Sequence, residues 1–273
     1  MIRLSSLVIG LLISAWSLAQ GLTLVDLNLR YDNPADGENA WGNRKNSTLS
    51  WLKNQQADLY FIQEVLHHQY LDLQEQLAGY QSYGLGREDG QEKGEYSPIF
   101  FKSERFEMIE SMTIWLSPTI NTPSKGWDAA CERIATVVVL KDKKDDQPLL
   151  CINTHWDHVG KVAQDNSADL ISSLLHSLPS RYQIVGGDFN VTASHQGIQA
   201  LSTQLHLIKN DDPRNTYHGF SKEVSSSIGA IDMVFSSDAL KATKVEYFRL
   251  SSEGTLLSDH DAISVEWIKV SND

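Results

Sequence analysis

The chain has 273 residues, with 23 Lys and Arg against 35 Asp and Glu, a formal charge of −12. That surplus of acid repels a phosphate backbone, which speaks against a sliding or histone-like nucleic-acid binder and against duplex DNA as a partner. Hydrophobic residues at 41% and charged ones at 21% describe a folded globular chain, long enough to bury a core without a disulfide or metal staple.

The first residues stand apart. Arg3 precedes an apolar run from Leu4 to Leu18, and Ser17-Leu18-Ala19 has the small-x-small form that signal peptidase cuts after. The run is shorter than the roughly 20 residues that span a bilayer. Residues 1–19 are therefore expected to be a cleaved signal peptide and residues 20–273 one domain, secreted or periplasmic, with no membrane span left. No Cys follows Ala19, so no lipid anchor is expected.

From Leu22 the chain alternates short β-rich runs with helical stretches. Strands are predicted at Leu22–Leu29, Leu59–Gln63, Ser97–Phe101, Phe106–Trp115 and Ile134–Leu140, and further on at Leu149–Asn153, Gln183–Gly186, Ala230–Phe235, Lys244–Leu250 and Ala262–Ile268. Helical periodicity covers Lys45–Gln55, His68–Leu77, Val162–Leu178 and Gln196–Leu205, where Leu170, Leu174, Leu175 and Leu178 mark one packing face. With no Pro/Gly linker, this pattern predicts a single α/β domain of two mixed sheets flanked by helices. The polar stretches Gly84–Glu95, Ser117–Glu132 and Lys209–Gly229 are long for loops in a compact domain, and Trp127, Tyr217 and Phe220 within them point to a pocket rim. Cys131 and Cys151 are expected as free thiols, because a hairpin turn at Lys141–Gln147 sets residue 151 opposite residue 138, out of register with Cys131.

Walker A, GxSxG and HExxH motifs are absent, as is any CxxC or Cys/His cluster, which removes the common nucleotide-hydrolase, serine-hydrolase and zinc-protein readings. What remains is a set of polar residues at the ends of apolar strands. Asn28 terminates the first, Glu64 follows the second, and His155 follows Leu150–Thr154. Asp188 and Asn190 follow Ile184–Gly187, Asp232 lies within Ile231–Phe235, and Asp259-His260 precedes the last strand. Carboxylates and amides gathered at one sheet edge make an oxygen-rich site suited to Mg²⁺ or Mn²⁺, and two histidines add donors for a phosphate oxygen or a proton relay.

The chain resembles the endonuclease/exonuclease/phosphatase superfamily, most closely its bacterial secreted members related to the deadenylase branch. The carriers are Asp-Leu-Asn-Leu-Arg-Tyr-Asp-Asn around Asn28, Ile-Gln-Glu-Val around Glu64, and Asn-Thr-His-Trp-Asp-His at 153–158. Downstream come Gly-Gly-Asp-Phe-Asn at 186–190, Ile-Asp-Met-Val-Phe at 231–235 and Ser-Asp-His at 258–260. The resemblance implies a four-layer α/β/β/α sandwich with the site at one end of the paired sheets. It implies Glu64 as the main carboxylate on the metal, with Asn28 alongside and Asp259 near the ion or orienting its neighbour. Asp188 would position and deprotonate the attacking water, Asn190 and His155 would donate to the phosphate, and His260 would pair with Asp232. Tyr96, Trp127, Arg133, Asp157 and His158, together with Tyr31, Asp32 and Asn33, are implied as substrate-pocket residues.

One departure is Arg30, where apurinic-site nucleases of the superfamily carry a carboxylate two residues after the Asn; with the export signal it argues against DNA repair. The expectation is a Mg²⁺- or Mn²⁺-dependent phosphohydrolase that cleaves a phosphodiester or phosphomonoester. Its substrate would be a phosphorylated small molecule, a lipid headgroup or a nucleotide, with no protein partner implied. The alternative is an extracellular nuclease degrading DNA or RNA. A catalytically silent binding module predicts broken catalytic positions, whereas each matched position keeps a chemically competent residue.

Overall fold

Alternating apolar positions dictate two-faced strands, and the computed structural model, which describes residues 21–249, 251–252 and 255–270, stacks them as two sheets. The expected signal segment lies outside the described residues. In chain order come β1 (Gly21–Asn28), α1 (Trp41–Gln55), β2 (Leu59–Gln63), α2 (His67–Gln76), β3 (Tyr80–Tyr83), β4 (Ile99–Lys102) and β5 (Phe106–Trp115). Next are β6 (Ile134–Asp142), β7 (Gln147–His155), α3 (Lys161–Ser177), β8 (Tyr182–Asp188), α4 (Gln196–Leu201) and β9 (His206–Ile208). Last are β10 (Asp232–Ser236), β11 (Leu240–Phe248), a ribbon of β12 (Ser251–Ser252) with β13 (Thr255–Leu256), and β14 (Ala262–Lys269). One sheet runs β11-β14-β1-β2-β4-β3 and the other β5-β6-β7-β8-β10-β9. Both are mixed: β1–β2 and β7–β8 are parallel pairs, bridged by α1 and α3, and their neighbours are antiparallel.

The inner faces share one buried cluster, with Leu22, Leu24, Leu59 and Phe61 from one sheet and Val138, Cys151, Ile184 and Val234 from the other. On the outer face of the first sheet, Val25, Leu27, Tyr60 and Ile62 pack on Trp41, Leu49 and Leu52 of α1 and Leu73 of α2. Behind the second, Leu150, Ile152, Val185 and Phe235 pack on Ile171 and Leu175 of α3 and on Ile198 and Leu201 of α4. The layers are therefore helix, sheet, sheet, helix, the predicted four-layer α/β/β/α sandwich.

On the inward faces the apolar residues stop before the strands do. Leu22 and Leu24 give way to Asp26 and Asn28, and Leu59 and Phe61 to Gln63. Leu149 and Cys151 give way to Asn153 and His155, and Tyr182 and Ile184 to Gly186 and Asp188, all buried. Gln63 Nε2 donates across the sandwich to Asn153 Oδ1 at 2.7 Å, and Asn28 Nδ2 to Asp188 Oδ2 at 3.0 Å, so the C-terminal ends of both parallel pairs meet. The opposite end is closed by Arg105, which donates to Asp142 at 2.8 Å and to Asp58 and the Gly21 carbonyl at 2.7 Å, while Lys269 donates to Asp142 at 2.8 Å.

Several predicted boundaries shift. The first helix starts at Trp41 rather than Lys45, because Arg44 is buried and its guanidinium donates to the carbonyls of Leu29, Arg30, Asn39 and Leu257. The fourth helix stops at Leu201, and β3 and β9 are additional short strands made of residues with little apolar alternation. Both cysteines are free, and Val138 stands opposite Cys151, the expected hairpin register.

Candidate active site

The strand ends carry the polar constellation to one place. β1 closes on Asn28, Glu64 directly follows β2, β7 closes on His155 and β8 on Asp188. His155 sits beside Asp188 across the parallel pair, and Asp232 faces Asp188 across the antiparallel one. β14 runs antiparallel to β1, so Asp259 and His260 at its approach return to the end of β1. The paired glycines of Gly-Gly-Asp-Phe-Asn serve this close approach. A Cβ at Gly186 would lie 2.9 Å from Phe61 of the facing sheet, and Gly187, at φ +139°, would place one 1.9 Å from the Thr154 carbonyl oxygen. Arg30, Glu64 and Asn190 hold φ of 62°, 58° and 53°, left-handed backbone that costs a non-glycine residue about 1–3 kcal/mol and concentrates at functional sites.

Hydrogen bonds fix each side chain. Asn28 Nδ2 donates to Glu64 Oε1 at 3.1 Å as well as to Asp188, while its Oδ1 accepts from the Arg30 amide at 3.0 Å. Glu64 Oε2 accepts from the Tyr31 amide at 3.2 Å. Asp188 Oδ1 accepts from the Asn190 amide at 2.9 Å, and Asp188 Oδ2 lies 3.5 Å from His155 Nε2 and 3.8 Å from His260 Nε2. Asn190 Nδ2 donates to the Trp156 carbonyl at 3.0 Å and lies 3.0 Å from His155 Nε2. His260 Nδ1 and Asp232 Oδ2 are 2.8 Å apart, the expected pair.

Burial and neighbouring charge split the protonation states. Burial, followed by repulsion from Asp232, pushes the Asp188 carboxyl up to about 7. Burial alone would lower His260, but the Asp232 carboxylate holds its imidazole well above the usual histidine range. Burial, with Arg133 and Arg87 nearby, drives His155 well below that range, so it is neutral. Burial also raises Asp259.

The donor set fits a hard divalent cation. Ligand atoms of Glu64, His155 and Asp188 lie within 4.8 Å of one another, and Oδ1 of Asp259 is buried without a hydrogen-bond partner. Carboxylate and amide oxygens around an unspent acceptor suit Mg²⁺ or Mn²⁺ better than a soft metal.

These residues line a cleft of about 480 Å³ that also holds Arg30, Tyr31, Arg87, Glu95, Cys131, Arg133, His158, Tyr217 and Ile231. Of the expected pocket residues, Tyr31, Arg133 and His158 are in it, the last two joined by a 2.9 Å contact between Nη2 and Nδ1. Five others do not line it, and of these Asp32 Oδ2 lies 3.1 Å from His68 Nε2 while Asn33 Oδ1 accepts from the Ala35 amide at 3.0 Å. Tyr96 is buried and its hydroxyl donates to the Gln91 carbonyl at 2.8 Å, bracing the 84–95 loop. Asp157 accepts from the amides of Ala130, Val159 and Gly160 at 3.0, 3.0 and 2.7 Å, which ties a loop to the start of α3. Trp127 is 37% exposed and is not among the residues that line the cleft. Arg87, Glu95 and Cys131 are cleft residues that sequence reasoning missed. Their signal was the long polar stretches, each of which sends at least one side chain to the cleft, as Tyr217 does from the third. Arg30, singled out in the sequence only as a departure, pairs with Asp36 at 2.9 Å and stands 3.8 Å from Glu64 and 3.7 Å from Asp259.

Two facing mixed sheets with such an acid-, amide- and histidine-lined cleft at their strand ends define a class of α/β proteins built to work on phosphate esters. The chain belongs to the Endonuclease/Exonuclease/phosphatase family, whose model matches residues 27–260. Members of that family are phosphate-ester hydrolases and nucleases that generally use a divalent metal. Among solved structures, an endonuclease/exonuclease/phosphatase family protein from Bacteroides thetaiotaomicron is 32% identical over 92% of this chain and 99% of its own, with a TM-score of 0.85. A mannosyl-6-phosphatase from the same organism is 31% identical over 90% of this chain and 99% of its own, with a TM-score of 0.81. The human Nocturnin catalytic domain, 19% identical over 92% of this chain and 94% of its own, shares the fold at a TM-score of 0.73. No curated protein compared with the chain matches it.

Proposed function

We propose that the chain is a secreted or periplasmic phosphohydrolase, assisted by Mg²⁺ or Mn²⁺, that cleaves the phosphate monoester of a small phosphorylated compound, a sugar phosphate first among them. The observation that carries this reading is the convergence of Glu64, Asp188 and Asp259 with Asn190, His155 and His260 in one cleft. Likeness to the mannosyl-6-phosphatase over almost its whole length supports the monoester and the sugar. The apolar segment at residues 4–18 supports export, and no helix among the described residues is long and apolar enough to cross a membrane.

Glu64, Asn28 and Asp259 would hold the ion, which when bound supplies positive charge against the scissile phosphate. Asp188 orients the attacking water and takes its proton, and a carboxyl held up to about 7 matches proton transfer near neutral pH. Asn190, His155 and the cationic His260 present donors where charge builds on the phosphate oxygens. The water oxygen bonds to phosphorus, the ester P–O bond breaks, and the leaving oxygen takes a proton from the His260 imidazolium or from solvent.

The test is phosphate release by residues 20–273 with Mg²⁺ or Mn²⁺ over a panel of phosphomonoesters and diesters. Release from a hexose phosphate, abolished by Glu64→Gln, is expected. Inactivity across the panel refutes the reading, and degradation of plasmid or poly(A) without monoester cleavage would replace it with the nuclease.

A further inference from the structure

We propose that Arg87, Glu95 and Arg133 form a clamp in the cleft wall that recognises the hydroxyls of a neutral, polyhydroxylated substrate body, rather than a second phosphate. The proposal rests on the phosphomonoesterase reading and adds to it the residues that choose the ligand.

The first ground is position. All three side chains line the same cleft as Asp188 and His260, yet none belongs to the constellation at the strand ends. Arg87 and Glu95 come from the 84–95 loop and Arg133 from the approach to β6, so the clamp is built on segments separate from the reacting groups. Tyr217, 49% exposed with its ring 5.1 Å from that of His260, stands in the cleft as a flat apolar surface of the kind that packs on a sugar ring.

The second ground is charge. Arg87 Nη1 pairs with Glu95 Oε2 at 2.6 Å, and Arg133 Nε lies 3.5 Å from Asp157 Oδ2. Two guanidiniums face two carboxylates, which leaves no unbalanced cation to grip another phosphate. A paired guanidinium and carboxylate instead offer donors and an acceptor side by side, the complement of neighbouring hydroxyls, each of which both donates and accepts.

The third ground is unspent hydrogen-bonding capacity. Nε of Arg87 and Nη1 of Arg133 are buried without a partner, in a side chain 13% exposed and one 6% exposed respectively. Both side chains also border a narrow gap beside the cleft, closed by Glu95, Ser97, Ile134 and His155. Unpaired buried N–H groups are costly, so a hydroxyl that draws these guanidiniums toward the cleft relieves a penalty the free protein carries.

The experiment compares kcat/KM for mannose 6-phosphate, glucose 6-phosphate and a hexose bisphosphate with that for phenyl phosphate, which carries a phosphate monoester without the polyol. Wild-type protein with Mg²⁺ is set beside Arg133→Met and Arg87→Met, with a melting curve for each. The expected result is a preference of at least tenfold for one hexose phosphate, and a loss of about tenfold to hundredfold of that preference in either variant, chiefly through KM. Arg87→Met keeps the test decisive if Arg133→Met fails to fold. Equal losses on phenyl phosphate and hexose phosphate overturn the clamp, as does a wild-type preference for a hexose bisphosphate that Arg87→Met removes. Wild-type turnover of phenyl phosphate with no hexose preference overturns the clamp and leaves the phosphomonoesterase reading standing. Failure to hydrolyse any of the compounds refutes that reading and the clamp with it.

Discussion

Replacing Asp188 with Asn should inactivate the enzyme and stabilise the metal-free protein in one step. The carboxyl is 1% exposed, and burial followed by the charge of Asp232 pushes it from 3.8 up to about 7. The sign follows from linkage. An acid whose folded pKa is raised costs nothing while it is protonated in both states, destabilises progressively as pH climbs from its unfolded value toward its folded one, and exacts a constant penalty above that. About three pKa units correspond to roughly 4 kcal/mol at pH 8. Asparagine recovers only part of this, because its amide nitrogen would stand where Oδ2 accepts from Asn28 Nδ2 at 3.0 Å. That mismatch costs about 1–2 kcal/mol. The net gain is about 2–3 kcal/mol, or about 4–12 °C in Tm for a chain of this size. Thermal unfolding in EDTA at pH 8, 7, 6 and 5, beside initial rates with Mg²⁺, measures both effects. The variant should melt higher at pH 8, with a gap that narrows toward pH 4 to 5, and kcat should fall by at least about 10²-fold. A variant that melts lower than wild type at pH 8, or a gap independent of pH, refutes the electrostatic argument. Retained activity refutes the role given to Asp188.

Arg105→Met should cost about 3–5 kcal/mol, because it leaves the buried Asp142 only Lys269 and the Lys144 amide and removes a bond to Asp58, while phosphate release at saturating substrate stays within about threefold; denaturant titration and rates check both halves. Asp142 lies below its ordinary range, since Arg105 and Lys269 outweigh its burial, so this end of the sandwich should loosen only as pH falls below the unfolded carboxylate range, as acid titration of the melting temperature would show. Asp232→Asn should bring the His260 imidazole down toward neutrality and cut kcat by about 10²–10⁴-fold, with NMR titration of His260 reporting the first and kinetics the second. Trp127→Ala should change KM less than threefold in steady-state assays, because the residue does not line the cleft.

How much of this was legible in the sequence depends on how local the signal was. β2 and β5 were readable to the residue, because Leu59–Gln63 is wholly apolar before its Gln and Phe106–Trp115 is bounded by turns. The polar strand ends were readable as a set, and their convergence follows from a feature of the same strings: on each parallel strand the inward positions turn from apolar to polar in the direction of the chain. The cleft wall was far less visible. Arg87 and Glu95 look like ordinary surface charges in a loop, and only the fold shows that the loop bends back so that Trp115 Nε1 donates to the Arg87 carbonyl at 2.7 Å. Asp157 is implied as a site residue by the resemblance, yet three backbone amides, of Ala130, Val159 and Gly160, bind its carboxylate, a demand set by the loop conformation rather than by the motif. Tyr96, implied by the resemblance as a pocket residue, stacks on Tyr70 and does not line the cleft, a packing that a single aromatic in the sequence does not reveal.

The acid surplus takes a different meaning once its members are located. Asp26, Asp188, Asp232 and Asp259 are all buried at the same end of the sandwich, where burial and the charge of Asp232 raise Asp26 and Asp188 while the Asp232 carboxylate keeps His260 cationic. Arg30 is the fixed cation nearest Glu64 and Asp259, but Asp36 already holds it through two 2.9 Å bonds. A cluster so short of positive charge is a poor host for phosphate by itself and a good one for a divalent cation, which brings the phosphate's counter-charge with it. The same overall charge that turns away a long polyanion is thus compatible with one phosphate group at the strand ends, and the balanced wall of Arg87, Glu95 and Arg133 is compatible with a neutral body behind that group.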